Sequence, residues 1–232
     1  MNQTLQPVYA GRTGSADVVA QRNRVLRNTY WLLALSMIPT VLGAWIGVAT
    51  GITATMSPGI SLIVFLGGAF GLMFAIERTK NSAVGVPVLL GFTFFMGLML
   101  SRLIGAVLGF SNGTGLIMTA FTGTALVFFG MATMSTVIKR DLSNMGKWLF
   151  IGVIMLLVAG IANVFIQSGP LMITVSVLAI GIFSLFILHD LKRVRDGEET
   201  NYITATLGVY LSLFNVFQSL LALLGIFGGN SD

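Results

Sequence analysis

The chain of 232 residues has no cysteine, a single histidine and few charges: 13 Lys or Arg and 8 Asp or Glu, 9% of the sequence. Without cysteine there is no disulfide, no thiolate metal site and no cysteine nucleophile. A water-facing globule carries roughly 25% charged residues. This chain cannot cover such a surface, which excludes a soluble enzyme, a nucleic-acid binder and a disordered protein. What it has instead is hydrophobic residues, 55% of the total, and a mean hydropathy of +0.91.

The apolar residues fall into seven runs: 30–50, 59–76, 84–108, 115–138, 148–167, 171–189 and 203–227. Each is close to the roughly 17–25 residues that cross a bilayer as a helix. They are too long and too continuously apolar for barrel strands of about 10 alternating residues. Backbone groups in lipid must bond within their own segment, so each run is expected to be helical. The expected fold is all-α and polytopic. It has a polar N-terminal tail over residues 1–29, a seven-helix bundle over 30–227 and a short tail over 228–232. The tail is expected to be flexible to about Val18. It contains no apolar stretch before Tyr30, so no cleavable signal is expected and the first span acts as the insertion signal. Ser168-Gly169-Pro170 alone separates the fifth and sixth runs, which predicts a tight helical hairpin.

All basic residues but Arg102 fall on one side of this scheme. Arg12, Arg22, Arg24 and Arg27 precede the first run. Arg78 and Lys80 follow the second, Lys139, Arg140 and Lys147 the fourth, and Lys192, Arg193 and Arg195 the sixth. The opposite connections, 51–58, 109–114 and 168–170, contain none. By the positive-inside rule the N-terminus is expected in the cytoplasm and the C-terminus outside. The net charge of +5 then reads as an orientation signal and an attraction to anionic lipid, not as a nucleic-acid footprint.

Polar residues inside the runs are the candidate functional positions. In the seventh, Thr204, Gly208, Ser212, Asn215, Ser219 and Ala222 recur at spacings of three and four and form one small, polar stripe. The stripe reads first as a packing seam and second as part of a polar pathway. Asn163 and Gln167 extend a similar face of the fifth run, with the same two readings. Arg102 is the only formal charge within a run and lies near its outer end. It either snorkels to the interface or pairs. His189-Asp190 closes the sixth run. Asp190, beside Lys192, Arg193 and Arg195, is either a solvated loop acid or a group at the bundle mouth that titrates and latches.

Catalytic constellations fail. Gly109-Phe110-Ser111-Asn112-Gly113 matches a nucleophile-elbow pattern. It lies in an outer connection, with the one histidine on the other face. No pair of aspartates lies in the spans, and neither a zinc-protease nor a phosphate-loop motif is present. No enzyme activity, cofactor or metal is expected.

Several fragments do carry a likeness. They are Val25-Leu26-Arg27-Asn28-Thr29-Tyr30, Gly71-Leu72-Met73-Phe74, Gly123-Thr124-Ala125-Leu126-Val127-Phe128-Phe129 and Ala162-Asn163-Val164-Phe165. Above all, Glu199-Thr200-Asn201-Tyr202-Ile203 continues through Ala205-Thr206 to Tyr210, Ser212, Asn215 and Ser219-Leu220-Leu221. Together, over residues 25–227, they resemble the Bax inhibitor-1 family of seven-helix membrane proteins, most closely its bacterial branch that modulates the membrane-anchored FtsH protease. The resemblance implies six helices around a central seventh and two pictures of function.

In the first, the chain sits in a bacterial inner membrane and restrains an FtsH-type protease complex, as inhibitor or slow substrate, with the polar tail of residues 1–20 as handle. In the second, it is a pH-sensitive leak for calcium or other cations. There the family pairs an aspartate at the end of the sixth helix with one in the seventh. Asp190 matches the first position, with His189 beside it, but Ser212 occupies the second. A shared-proton latch needs two coupled carboxylates, so the first picture is favoured and Asp190 as sensor is the alternative.

Overall fold

A computed structural model describes residues 10–229. Seven helices follow one another: α1 (Ala10–Thr50), α2 (Pro58–Thr79), α3 (Gly85–Leu108), α4 (Gly113–Val137), α5 (Ser143–Ile166), α6 (Gly169–Asp196) and α7 (Tyr202–Gly228). There is no strand among the described residues. All seven are long and apolar enough to cross a membrane.

Local chemistry marks several ends. Ser57 caps α2, accepting from the Ile60 N–H at 3.4 Å ahead of Pro58. The hairpin expected at 168–170 is present. Gln167 ends α5 in the left-handed region at φ 54, and Ser168 caps α6 at once, accepting from the Leu171 N–H at 3.3 Å. Gly197 closes α6 with φ 83, where a side chain would be strained. Asn201 caps α7 by accepting from the N–H groups of Ile203 and Thr204 at 2.9 and 3.2 Å.

The first helix departs from expectation. It starts at Ala10, not near Tyr30, and spans 41 residues. That is about 60 Å at 1.5 Å per residue, twice the roughly 30 Å of bilayer hydrocarbon. Of the expected flexible tail, residues 1–9 lie outside the described residues, and the stretch from Ala10 onward is helical. Two causes act together. Residues 10–29 contain no proline and include the helix formers Ala20, Gln21, Leu26 and four arginines. The segment also has something to pack on, because Val25 joins Val194 of α6 and Ala205 of α7 in a buried cluster flanked by Leu26 and Tyr202.

Helix α1 makes its largest interface with α3. Gly43 and Gly47 put bare backbone against it: a Cβ at Gly43 would collide with the Phe94 carbonyl oxygen, and one at Gly47 with the Ser101 side chain. From the other side, Gly97 admits the Thr40 carbonyl. This is the small-residue packing that replaces the hydrophobic drive in lipid. Near the far end of the interface Thr53 and Ser101 share a 2.7 Å hydrogen bond.

The seventh helix is the axis. It touches α1, α2, α3, α4 and α6, while α5 packs on α6, grazes α2 and makes no contact with α7. The expected arrangement of six around one is therefore five around one, with α5 outside. Tyr210, 1% exposed, ties the axis to its neighbours. Its hydroxyl shares a 2.9 Å hydrogen bond with Thr40 Oγ1 of α1 and reaches the Thr93 carbonyl oxygen of α3 at 3.3 Å. Its ring meets Phe92 edge-on at 6.0 Å.

Candidate functional site

The charged end of α6 is built as a layered cluster. Asp190 follows His189, and their Oδ1 and Nδ1 atoms lie 3.2 Å apart. The other carboxylate oxygen points at α7: a Cβ placed on Gly208 would stand 2.7 Å from Oδ2. The Asp190 side chain is 17% exposed, so it is neither a free loop acid nor sealed from water. His189 is buried. Its ring stands edge-on to Phe186 at 6.3 Å, and its Nε2 would lie 2.8 Å from a Cβ on Gly146 of α5. Two missing side chains, at Gly146 and Gly208, thus make room for an imidazole and a carboxylate between three helices.

Nearly two turns further on, Asp196 lies between two cations. Lys192, whose stem is buried, and Arg195 both bond it, the latter at 2.9 Å. Arg195 also donates to the carbonyl oxygens of Ser135 and, at 3.2 Å, of Ile138. It thereby satisfies carbonyls that the end of α4 leaves open. Lys192 and Asp196 stand four apart in sequence, a spacing that signals a helix-surface ion pair. That was the available sequence signal for this part of the cluster.

The same end gathers the basic connections. Asn201 donates to the carbonyl oxygen of Lys80 at 3.1 Å and to Asn81 Oδ1 at 2.9 Å. Arg195 reaches the residues just before Lys139. Arg22 lies over Gly197, where a Cβ would come within 2.5 Å of its Nε. The α2–α3, α4–α5 and α6–α7 connections and the base of α1 therefore share one rim.

Other sequence candidates are placed differently. Ser212 is buried on α7 and donates to the Gly208 carbonyl at 3.1 Å, one turn from the Asp190 contact. Asn215 turns its amide back onto the Leu211 carbonyl at 2.8 Å. Ser219 is buried on the same helix. Asn163 accepts from the Ser168 N–H at 2.9 Å and so pins the α5–α6 hairpin; its helix does not touch α7. Arg102 is exposed and donates to the Met56 carbonyl oxygen and Ser61 Oγ, both at 3.1 Å. It finds neutral oxygens across the end of α2, not a carboxylate. The structure thus joins His189, Asp190 and, through Gly208, Ser212. Asn163 and Arg102 stand apart, holding the opposite end of the bundle.

Chemically, the imidazole and the carboxylate stand close enough to share one hydrogen bond between Nδ1 and Oδ1. Among the described residues no group of three or more His, Cys, Asp or Glu could hold a metal ion. Residues 202–228 of α7 contain no acid, so no second carboxylate faces Asp190 from the axis.

Seven apolar helices, a glycine-lined first interface and a polar cluster at the base of a central seventh helix define a polytopic membrane protein. The chain belongs to the Bax inhibitor-1 family: the family described as "Inhibitor of apoptosis-promoting Bax1" matches residues 22–229. Among its relatives is a protein of Escherichia coli K12 named "Modulator of FtsH protease YccA". It is 37% identical over 203 residues, covering 88% of this chain and 90% of the relative. A Vibrio cholerae protein described only as an uncharacterized membrane protein is 36% identical over 219 residues, 94% and 96% of the two chains. An uncharacterized Pseudomonas aeruginosa protein is 36% identical over 207 residues, 89% and 90%.

Proposed function

We propose that this chain is an inner-membrane modulator, acting as inhibitor or slow substrate, of a membrane-anchored ATP-dependent protease of the FtsH type. The observation that carries the reading is the 37% identity, along nearly the whole of both chains, with the Escherichia coli protein named for modulating FtsH. A second strain's relative, equally similar, is named as an inner membrane protein. The gathering of the basic connections on one rim supports a cytoplasmic N-terminus and an external C-terminus. The long α1 supports the handle, because it extends the chain well past the apolar run that begins at Tyr30. The role asks for no catalytic group in this chain.

In cells that contain an FtsH-type protease, added full-length chain should slow the turnover of another membrane substrate. Deletion of residues 2–20 should remove that effect. Unchanged turnover with the full chain would overturn the reading.

The alternative, a pH-sensitive calcium or cation leak with Asp190 as sensor, draws support from the half-buried carboxylate held between His189 and the central helix. The central helix offers it no second carboxylate for a shared proton. Liposomes containing the purified chain should then pass calcium in a pH-dependent way that Asp190→Asn abolishes. Flux equal to that of empty vesicles would end this alternative.

A further inference from the structure

Just past the basic rim, one face of α1 carries Asn23, Leu26, Arg27, Tyr30, Trp31 and Ala34 at spacings of three and four. Together they line an open groove of about 470 Å³. Its polarity is graded along the helix. Asn23 and Arg27 stand at the polar end, two aromatic rings follow, and small Ala34 lies inside the apolar run. Arg27 is exposed and has no hydrogen-bond or ion-pair partner among the described residues. No acidic residue occurs in 18–50 to neutralise it, while Arg22 and Arg24 add to the local charge. Trp31 is 72% exposed, whereas the ring of Tyr30 is braced edge-on against Phe128 of α4 at 6.1 Å. The other face of the same turns is held by buried Val25, Thr29 and Leu32, so the groove has a fixed wall.

We propose that this groove binds the headgroup of an anionic phospholipid. The phosphate pairs with the Arg27 guanidinium, whose planar fork suits phosphate oxygens. The Asn23 amide meets further headgroup oxygens, and an acyl chain lies along Trp31 and Ala34. A lipid is favoured over free phosphate because the groove continues without a break into the apolar run. Tryptophan and tyrosine sit where amphipathic rings prefer the membrane interface.

The test uses full-length chain with Trp45→Phe and Trp148→Phe, both at exposed positions, so that Trp31 is the sole indole. Its fluorescence is measured in vesicles containing brominated phosphatidylglycerol or brominated phosphatidylcholine. Preferential quenching by the anionic lipid is expected, and Arg27→Gln should cut that preference about fivefold. Arg27→Lys should retain part of it, and Arg140→Gln, on another connection, should leave it intact. Excess inorganic phosphate should not compete. Equal quenching by the two lipids overturns the site. So does an equal loss in Arg140→Gln, which would show diffuse attraction, or competition by inorganic phosphate, which would show a soluble ligand. If Arg27→Gln does not fold, Asn23→Asp carries the same test by repelling the headgroup, and an undiminished preference there overturns it.

Discussion

Asp190 of α6 and Gly208 of α7 meet face to face: the carboxylate occupies the place where any larger residue would put its Cβ, 2.7 Å from Oδ2. The pair joins the charged end of α6 to the central helix. It also explains why a small residue stands at that point of the polar stripe.

Gly208→Ala is therefore expected to displace the carboxylate and to cost about 1 kcal/mol, because the displaced atom ends a side chain and can move. Asp190→Ala should recover most of that loss in the double variant, since it removes the obstacle. Thermal unfolding in detergent of the two single variants and the double one measures the coupling. Strict additivity would mean that the two groups do not touch.

The first interface has no such freedom. A Cβ at Gly97 would meet the backbone carbonyl of Thr40, so α1 and α3 would have to separate. Gly97→Ala is expected to destabilise by about 1–3 kcal/mol or more. Gly67→Ala on α2, where nothing lies within 4 Å, should stay within about 0.5 kcal/mol of the parent. Comparable losses at both positions would contradict the close approach of α1 and α3.

Tyr210→Phe keeps the buried ring and deletes the hydroxyl that links α7 to Thr40 and Thr93. The expected loss is about 0.6–1.7 kcal/mol, the range for single interhelical hydrogen bonds in membranes. Thr40→Val should be nearly without further effect in the Tyr210→Phe background. A full additional loss would show that the two hydroxyls do not act on each other.

Ser212→Leu adds volume where the axis is 3% exposed. Overpacking should cost about 1–3 kcal/mol and show as a lower unfolding temperature. A stable, well-folded Ser212→Leu would place this side of α7 toward lipid or open space, against the buried position described above.

Much of the fold was legible because lipid imposes a local rule. A continuous apolar run must satisfy its own backbone, so seven runs meant seven helices, and Ser168-Gly169-Pro170 between two of them meant a hairpin. The beginning of α1 was not legible. Its polar residues look like a tail until Val25 is seen to pack on Val194 and Ala205. Nor was the α1–α3 seam foreseen, although Gly43 and Gly47 stand four apart, the signature of close helix approach. Arg102 was recognised as exceptional, but its partners, Met56 and Ser61, are neutral oxygens that no charge-pairing argument would find.

The site divides in the same way. Sequence singled out His189, Asp190 and the stripe through Ser212, because polar groups are rare in apolar runs and each must be accounted for. It could not show that His189 is buried against Gly146, that Asp190 rests on Gly208, or that Asn163 serves the hairpin on a helix that never meets α7. Hydropathy, helix number and the location of basic residues depend on each segment's own contact with lipid or water, and so were set by the sequence alone. Which helices touch, and which polar groups share a pocket, depends on where backbones can approach. That is decided by glycines and side chains far apart in the chain, and only the tertiary structure brings them together.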